Sequence, residues 1–200
     1  PTLNNGECLH LALLFDVAQV RNSDGDQEPL LVLHWADGPG TTLKGWLHKH
    51  RHADIAATLE TRLGFAVQMC AGLRELHYGS ARTPTAAAEP HGGATPLFVH
   101  QDLKPANILL FGSGGEDGGG PVRLALTDFG LTVQYNVHER NASSSTGGTA
   151  AYMAPEQWLG LPALSPGRDM WAAGMVLAQL FAGAATARAL RTYRHYATKG

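Results

Sequence analysis

Four side chains in the middle of the sequence have the chemistry that phosphoryl transfer requires. Asp102 can accept the proton of an attacking hydroxyl, and Lys104, two residues later, can reach the phosphoryl group that is being transferred. Asn107 offers an amide oxygen and Asp128 a carboxylate oxygen, and hard oxygen ligands of this kind suit Mg²⁺. These residues therefore predict a metal-assisted phosphoryl-transfer site.

Short strands are expected to position the two metal ligands. Apolar runs at 108–111 and 122–127 are short and are bounded by turn-forming residues, which favours strands over helices. A pair formed by these strands would bring Asn107 and Asp128 to the same edge. The low-complexity segments 79–96 and 112–120 are predicted to be insertions, because they are rich in Gly, Ala, Pro and Thr.

Further elements follow from apolar spacing. Strands are predicted at 11–20 and 30–35, and a short helix opens near 42 with Thr41 or Thr42 as its N-cap. A helix over 169–182 follows from its apolar content, and the clearest helix covers 56–77. The predicted buried face of that clearest helix is Leu59, Leu63, Ala66, Val67, Cys70, Leu73 and Leu76.

Composition excludes several classes of protein. The 200 residues are 44% hydrophobic and carry 15 Lys and Arg against 17 Asp and Glu. A net charge of −2 gives no basic excess for nucleic acid or a membrane surface, so neither is expected as a partner. Only Cys8 and Cys70 are present, which favours a reducing, intracellular and cytoplasmic location.

Five motifs, met in a fixed order, give the chain a family resemblance. They are Leu31-Val32-Leu33-His34-Trp35-Ala36-Asp37-Gly38, His100-Gln101-Asp102-Leu103-Lys104-Pro105-Ala106-Asn107, Asp128-Phe129-Gly130, Gly148-Thr149-Ala150-Ala151-Tyr152-Met153-Ala154-Pro155-Glu156 and Asp169-Met170-Trp171-Ala172-Ala173-Gly174. Together they resemble the hinge, catalytic loop, metal-binding turn, activation-segment end and buried helix of eukaryotic Ser/Thr protein kinases.

The resemblance implies an α+β, protein kinase-like fold with a mainly helical C-lobe and a few short strands, truncated at both ends. Residues 1–40 would be a remnant of N-lobe strands and hinge, 41–187 the C-lobe, and 188–200 a tail of unclear structure. The implied activity is transfer of the ATP γ-phosphate to protein Ser/Thr hydroxyls, with ATP and Mg²⁺ bound and a protein as substrate.

The resemblance also assigns roles to individual residues. Asp102 would be the catalytic base, Lys104 would contact the γ-phosphate, and Thr149 would bind both of them and shape the substrate site. Asn107 and Asp128 would hold Mg²⁺. Leu33 would be the gatekeeper, the backbone of His34, Trp35 and Ala36 would pair with adenine, and Leu109 would lie against its ring. His100 and Phe129 would stack, and Asp169 would hold the catalytic-loop backbone.

Three departures from the family pattern alter the expectation. Gln101 stands where many members have an Arg that pairs with a phosphorylated activation loop, so activation here is expected not to depend on loop phosphorylation in the usual way. No Gly-rich loop or Ala-x-Lys strand precedes His10, so these residues alone are expected to have weak nucleotide affinity and little kinase activity. The Arg partner of Glu156 is not identifiable.

Some features have alternative readings. The same motifs would also fit a pseudokinase-like scaffold or interaction module, although such a protein would have no physical need for Asp102, Lys104, Asn107 and Asp128 together. His48, His50 and His52 could bind a metal, but a solvated surface is the better reading because no Cys or carboxylate set completes a ligand shell. Cys70 is predicted to be inert core.

Overall fold

The structure is a computed structural model that describes residues 10–12, 14–21, 27–33, 36, 41–50, 59–78, 97–112, 122–135, 147–161 and 164–197. Within these ranges the strands are β1 (Leu14–Arg21), β2 (Gln27–Leu33), β3 (Leu97–Val99), β4 (Ile108–Phe111), β5 (Arg123–Leu126) and β6 (Val133–Tyr135). The helices are α1 (Leu43–Lys49), α2 (Leu59–Tyr78), α3 (Pro155–Trp158) and α4 (Gly167–Ala197). Short 3₁₀ turns occupy Pro105–Asn107 and Phe129–Leu131.

The described strands form three antiparallel pairs: β1 with β2, β3 with β6, and β4 with β5. The β4–β5 pair is the one predicted from the apolar runs around Asn107 and Asp128. The strand predicted at 11–20 begins later, because residues 10–12 instead lie along β5. Ala12 N donates to Leu126 O at 2.7 Å, and Leu126 N donates to His10 O at 2.8 Å.

The main core lies where α2 and α4 meet the β4–β5 pair. The residues buried there are Leu43, Trp46, Phe65, Met69, Leu73, Leu103, Ile108, Leu110, Leu124, Leu126, Ala172, Ala173, Val176 and Leu180. They include residues of the catalytic-loop motif and of α4, so the loop is supported by the most tightly buried part of the described chain. Burial of apolar area on this scale is the main source of stability for the loop's position.

The predicted buried face of α2 is wrong for most of its residues. Leu59 and Val67 are 66% and 68% exposed, and Leu63 and Cys70 are exposed as well. The buried residues of α2 are Phe65, Met69, Gly72, Leu73, Leu76 and His77, so Leu73 and Leu76 are the members of the predicted face that are buried. Residues 59, 63, 67 and 70 have the same relative spacing as 65, 69, 73 and 76, so periodicity cannot choose between the two stripes. Cys70 is therefore a surface thiol and not part of the core.

Helix α1 begins as the sequence predicted, with Thr42 as its N-cap. Gly45 N donates to Thr42 Oγ1 at 3.1 Å, which satisfies one of the free donors of the first turn. Leu110 N donates to Thr41 O at 2.9 Å and Thr42 pairs with Leu109. These bonds fix α1 against β4.

Helix α4 is longer than the 169–182 that the sequence predicted. It bends at Gly183, whose φ of 78° lies in the left-handed region that Gly adopts without steric cost, and helix then continues through most of the predicted tail. Among the described residues, no helix has both the length and the apolar character needed to cross a membrane. The predicted insertions lie outside the described residues, apart from Gly112.

Candidate active site

The backbone of the catalytic loop is held by one buried carboxylate. Asp169, near the start of α4, is fully buried, and its Oδ1 accepts from Gln101 N at 2.9 Å. Its Oδ2 accepts from His100 N at 2.8 Å and lies 2.8 Å from Nε2 of His77. The predicted role of Asp169 is thus observed as geometry. His77, on the last turn of α2, is a partner that the sequence analysis missed.

Asp102, Lys104 and Thr149 form one hydrogen-bonded cluster. Lys104 Nζ donates to Asp102 Oδ2 at 2.5 Å and to Thr149 Oγ1 at 2.9 Å. Thr149 N donates to Asp102 Oδ1 at 2.7 Å. The structure therefore brings together the three residues that the sequence placed at the centre of the chemistry, although 47 positions separate Asp102 from Thr149.

The ionised form of Asp102 is stabilised by this cluster. Burial raises the pKa of the Asp102 carboxyl, but hydrogen bonds from Lys104 and from the hydroxyl and backbone of Thr149, with the Lys104 charge, outweigh burial and leave the pKa below its ordinary value. Asp102 is consequently a carboxylate at neutral pH. A carboxylate in this position can accept a hydrogen bond or a proton from an attacking hydroxyl.

Asn107 and Asp128 lie at the same end of the β4–β5 pair. Thr127 N donates to Asn107 O at 3.0 Å, so the residue before Asp128 is bonded directly to Asn107. Asn107 Nδ2 donates to Asp102 O at 3.0 Å, which directs its amide oxygen away from that carbonyl. Asp128 is exposed and adopts a left-handed backbone with φ of 65°. This pair of hard oxygen donors fits Mg²⁺.

His100 and Phe129 are in contact, as the resemblance implied, but their rings are tilted and not stacked. The ring centroids lie 5.4 Å apart with an interplanar angle of 49°. His100 Nε2 lies 3.0 Å from Thr127 O. The catalytic loop is thereby joined to the turn that carries Asp128.

The residues predicted to hold adenine are described only in part. Leu33 ends β2, whereas His34 and Trp35 lie outside the described residues. Ala36 is buried in a small apolar cluster with Ala12, Phe111 and Ala125, and Leu109 packs against this cluster. Leu109 and Ala36 therefore border the same apolar region.

The His-rich run does not form a metal site in the described part of the chain. His50 stacks on Trp46 with ring centroids 4.3 Å apart, and its Nδ1 lies 2.8 Å from Trp46 O. His48 is exposed and His52 lies outside the described residues. Throughout the described ranges, no group of three or more His, Cys, Asp or Glu could hold a metal ion.

A model of the protein kinase domain matches residues 31–198. The chain belongs to the protein kinase family. Its relatives include the G-type lectin S-receptor-like serine/threonine-protein kinase SD2-5 of Arabidopsis thaliana, 29% identical over 142 residues, which are 71% of this chain and 14% of that protein. Cyclin-dependent kinase B2-2 of the same plant is 28% identical over 171 residues, 86% of this chain and 45% of that protein.

A bacterial kinase is a further relative of the chain, and a solved structure shares its fold. Serine/threonine-protein kinase PkaA of Streptomyces coelicolor is 40% identical over 85 residues, 42% of this chain and 14% of that protein. A chain in the crystal structure of the yeast RNA Pol II CTD kinase CTDK-1 complex superposes on this chain with a TM-score of 0.62 at 20% sequence identity. The match covers 88% of this chain and 46% of the yeast structure's chain. That likeness shows the fold.

The match to the protein kinase domain confirms the family expected from the sequence motifs, and the solved structure confirms the protein kinase-like fold. The relatives named above are serine/threonine-protein kinases and a cyclin-dependent kinase. The chain spans less than half the length of each of the relatives named.

Proposed function

We propose that this chain carries the phosphoryl-transfer centre of a kinase that moves the ATP γ-phosphate to Ser or Thr hydroxyls of a protein substrate. The observation that supports the proposal most directly is the cluster in which Lys104 bonds to both Asp102 and Thr149. It places a carboxylate and an ammonium side by side at the end of a rigid loop. This is the arrangement that phosphoryl transfer needs, since that reaction relies on positioning and on charge compensation.

Each member of the cluster then has a defined task. Asp102 accepts a hydrogen bond from the substrate hydroxyl and takes its proton as the transfer proceeds. Lys104 supplies positive charge to the phosphoryl oxygens, where charge develops. Thr149 fixes the separation of these two side chains and, through its backbone bond to Asp102, links the substrate-binding segment to the catalytic loop.

Asn107 and Asp128 are the proposed Mg²⁺ ligands. A bound Mg²⁺ would offset the negative charge of the ATP phosphates. Asn107 is held by its bonds to the backbone and carboxylate of Asp102, at 3.0 and 3.3 Å, so its side chain is positioned by the same loop that carries the base. Asp128 is exposed and adjacent, so its carboxylate is accessible to a metal–nucleotide complex.

The adenine side of the proposed site is bordered by Leu109 and Ala36, with Leu33 as the proposed gatekeeper. The sequence contains no Gly-rich loop or Ala-x-Lys strand before His10, which in kinases would cover and charge-match the phosphates. We therefore expect these 200 residues by themselves to bind ATP weakly and to transfer little phosphate.

The test uses the longest natural form of the protein and compares it with Asp102→Asn. Transfer of labelled phosphate to Ser- and Thr-containing peptides should fall by about 10³-fold or more in the variant, because both the base and the bonds to its neighbours change. Glu60→Gln, an exposed change on α2, is the matched control and should leave the rate unaltered. Equal transfer by wild type and Asp102→Asn would contradict the proposal.

The alternative, a pseudokinase-like scaffold, makes an opposite prediction. A scaffold would keep its function in Asp102→Asn, and wild type in its longest natural form would show no Asp102-dependent transfer. The intact bonds of Lys104 to Asp102 and Thr149 favour the enzyme, because a pure interaction surface has no physical need for them.

A further inference from the structure

Gln101 uses both polar ends of its buried side chain to join distant parts of the chain. Its Nε2 donates to Leu131 O at 2.8 Å, and its Oε1 accepts from Arg168 Nη1 at 3.0 Å. Gln101 is only 5% exposed and Arg168 only 2%. The link is therefore internal and does not depend on surface side chains that solvent would compete for.

Arg168 extends this link to a third place. Its Nη2 lies 3.5 Å from Leu161 O, and the negative charges of Glu156 and Asp169 act on it. Burial lowers the pKa of Arg168, and those two carboxylates oppose this effect, so the guanidinium keeps its charge. A buried charge is tolerated only where acceptors and opposite charges surround it, and here they come from separate segments.

The segments that meet at this pair are functionally related. The activation segment follows the Asp128-Phe129-Gly130 turn and ends with the Gly148–Glu156 motif. The structure describes its start at 131–135 and its end at 147–156, together with 157–161, which follow directly. Leu131 is bonded to Gln101, whereas Leu161 and Glu156 at the other end interact with Arg168. The far end also returns to the loop at Gly148, where an added Cβ would lie 2.9 Å from Gln101 O.

We propose that Arg168, acting through Gln101, is a positioning residue that holds both ends of the activation segment against the catalytic loop without an added phosphate. A neutral side chain at 101 provides no charge for a phosphate on that segment. The positive charge instead lies inside the protein, on Arg168. The neutral oxygens of Gln101 and Leu161 accept hydrogen bonds from it, and the carboxylates of Glu156 and Asp169 offset its charge. The catalytic consequence of this proposal rests on the proposed function, whereas its structural part does not.

Hydrogen–deuterium exchange in the full 200-residue chain tests the structural part. Arg168→Met keeps the length and removes the charge and donors, and it should raise exchange in peptides covering 131–135 and 147–157 by about tenfold or more. Exchange in β4 should stay within about twofold of wild type, because β4 belongs to a core that Arg168 does not join. A uniform rise, or no rise in the two segment ends, would overturn the proposal.

Arg62→Met is the matched control. Arg62 also donates through its guanidinium to a backbone carbonyl, that of Leu180, but it links α2 to α4 and not to the activation segment. Its loss should leave exchange at 131–135 and 147–157 unchanged. An equal effect of Arg62→Met and Arg168→Met on these peptides would mean that loss of any guanidinium bonded to a backbone carbonyl has the same result, and the proposal would fail.

A second pair of variants decides the question if Arg168→Met does not fold. Gln101→Glu keeps an acceptor for Arg168 but loses the donor to Leu131, so it should raise exchange at 131–135 and leave 147–157 protected. Arg168→Lys keeps the charge and part of the bonding, so its exchange at 147–157 should rise over wild type by clearly less than about tenfold. Equal effects of Gln101→Glu on both ends would contradict the two-ended link.

Activity in the longest natural form tests the catalytic part. Arg168→Met should lower kcat for peptide phosphorylation about tenfold with KM for ATP unchanged, and Arg168→Lys should restore part of kcat. Alanine at all four of Ser143, Ser144, Ser145 and Thr146 should leave kcat within about twofold of wild type. Loss of activity in that fourfold variant would overturn phosphate-independent positioning. Absence of transfer by wild type would refute the proposed function and leave the exchange result to decide the link.

Discussion

Asp169→Asn should destabilise the folded chain strongly, because the carboxylate is the acceptor for three polar groups at once. Its two oxygens receive Gln101 N, His100 N and the ring nitrogen of His77, all at 2.8 to 2.9 Å and all buried. An amide can place its oxygen on only one side, so its NH₂ must face at least one backbone N–H. Either orientation leaves a buried donor without an acceptor.

The size of the effect follows from those contacts. Each buried unsatisfied donor costs about 1–3 kcal/mol, and loss of the charge-assisted contact with His77 adds a similar amount, giving about 2–6 kcal/mol in total. With a urea slope of about 2 kcal/mol per molar, the unfolding midpoint should fall by about 1–3 M. The measurement is urea unfolding followed by tryptophan fluorescence.

Glu60→Gln is the matched control for this prediction, since it also removes one carboxylate charge by amidation but at an exposed position of α2. Its midpoint should shift by no more than about 0.5 M, because an exposed carboxylate in the first turn of a helix contributes at most about 1 kcal/mol. If Asp169→Asn shifted the midpoint no further than Glu60→Gln, the argument that one carboxylate holds the loop backbone would be refuted.

Three further results are expected. In α2, Gly64→Ala should raise the melting temperature, because its Cβ would meet nothing within 4 Å and Ala has the higher helix propensity. Gly72→Ala should lower the melting temperature, because its Cβ would lie 2.8 Å from a backbone oxygen. Thermal unfolding of the two variants tests both expectations. Lys104→Ala should raise the pKa of Asp102, since burial remains while a hydrogen bond and a positive charge are lost; carboxyl ¹³C titration measures this. The pKa of Asp102 is depressed in the folded wild type, so the stability that its ionisation contributes is present above the unfolded-state pKa. This stability is lost as the pH falls through the folded-state pKa, and in Lys104→Ala the loss should occur at a higher pH. Asp128→Asn should weaken Mg²⁺-dependent ATP binding in calorimetry on the longest natural form and leave Mg²⁺-free binding unchanged, and equal weakening of both would exclude a metal role.

The grouping of Asp102, Lys104 and Asn107 could be predicted from the sequence because these residues lie in one short, contiguous motif of the family that the chain resembles. Asp102, Lys104 and Asn107 occupy one loop, and local backbone geometry determines much of their arrangement. Thr149 was predicted from a second motif, Gly148–Glu156, which resembles the end of the activation segment. Its bonds to Asp102 and Lys104 form when this motif lies against the catalytic loop. The strands that flank the site could be predicted because their apolar runs are short and are bounded by turn-forming residues.

Tertiary contacts determined what the sequence did not predict. The two stripes of α2, one through Val67 and one through Met69, have the same spacing, and the second is buried because β3, β5 and α4 pack against that side of the helix. The pairing of Gln101 with Arg168 crosses 67 positions, and nothing in either local pattern indicates the other. The same holds for His77, which meets Asp169 across 92 positions. For the first pairing, the one signal in the sequence is the position of Arg168 directly before Asp169, which opens the motif that resembles the buried helix.

The long sequence separations at Asp169 set an order of events during folding. Its bonds to the catalytic loop close a span of 69 positions, and its contact with His77 closes 92. Closing spans of this length costs chain entropy before any contact compensates for it, so such contacts form late relative to local helices and hairpins. The β4–β5 pair can form early, whereas the loop beside it gains its final backbone geometry only when α4 docks. During synthesis, a nascent chain that has not yet emerged past Asp169 would hold its catalytic residues without the carboxylate that orders them.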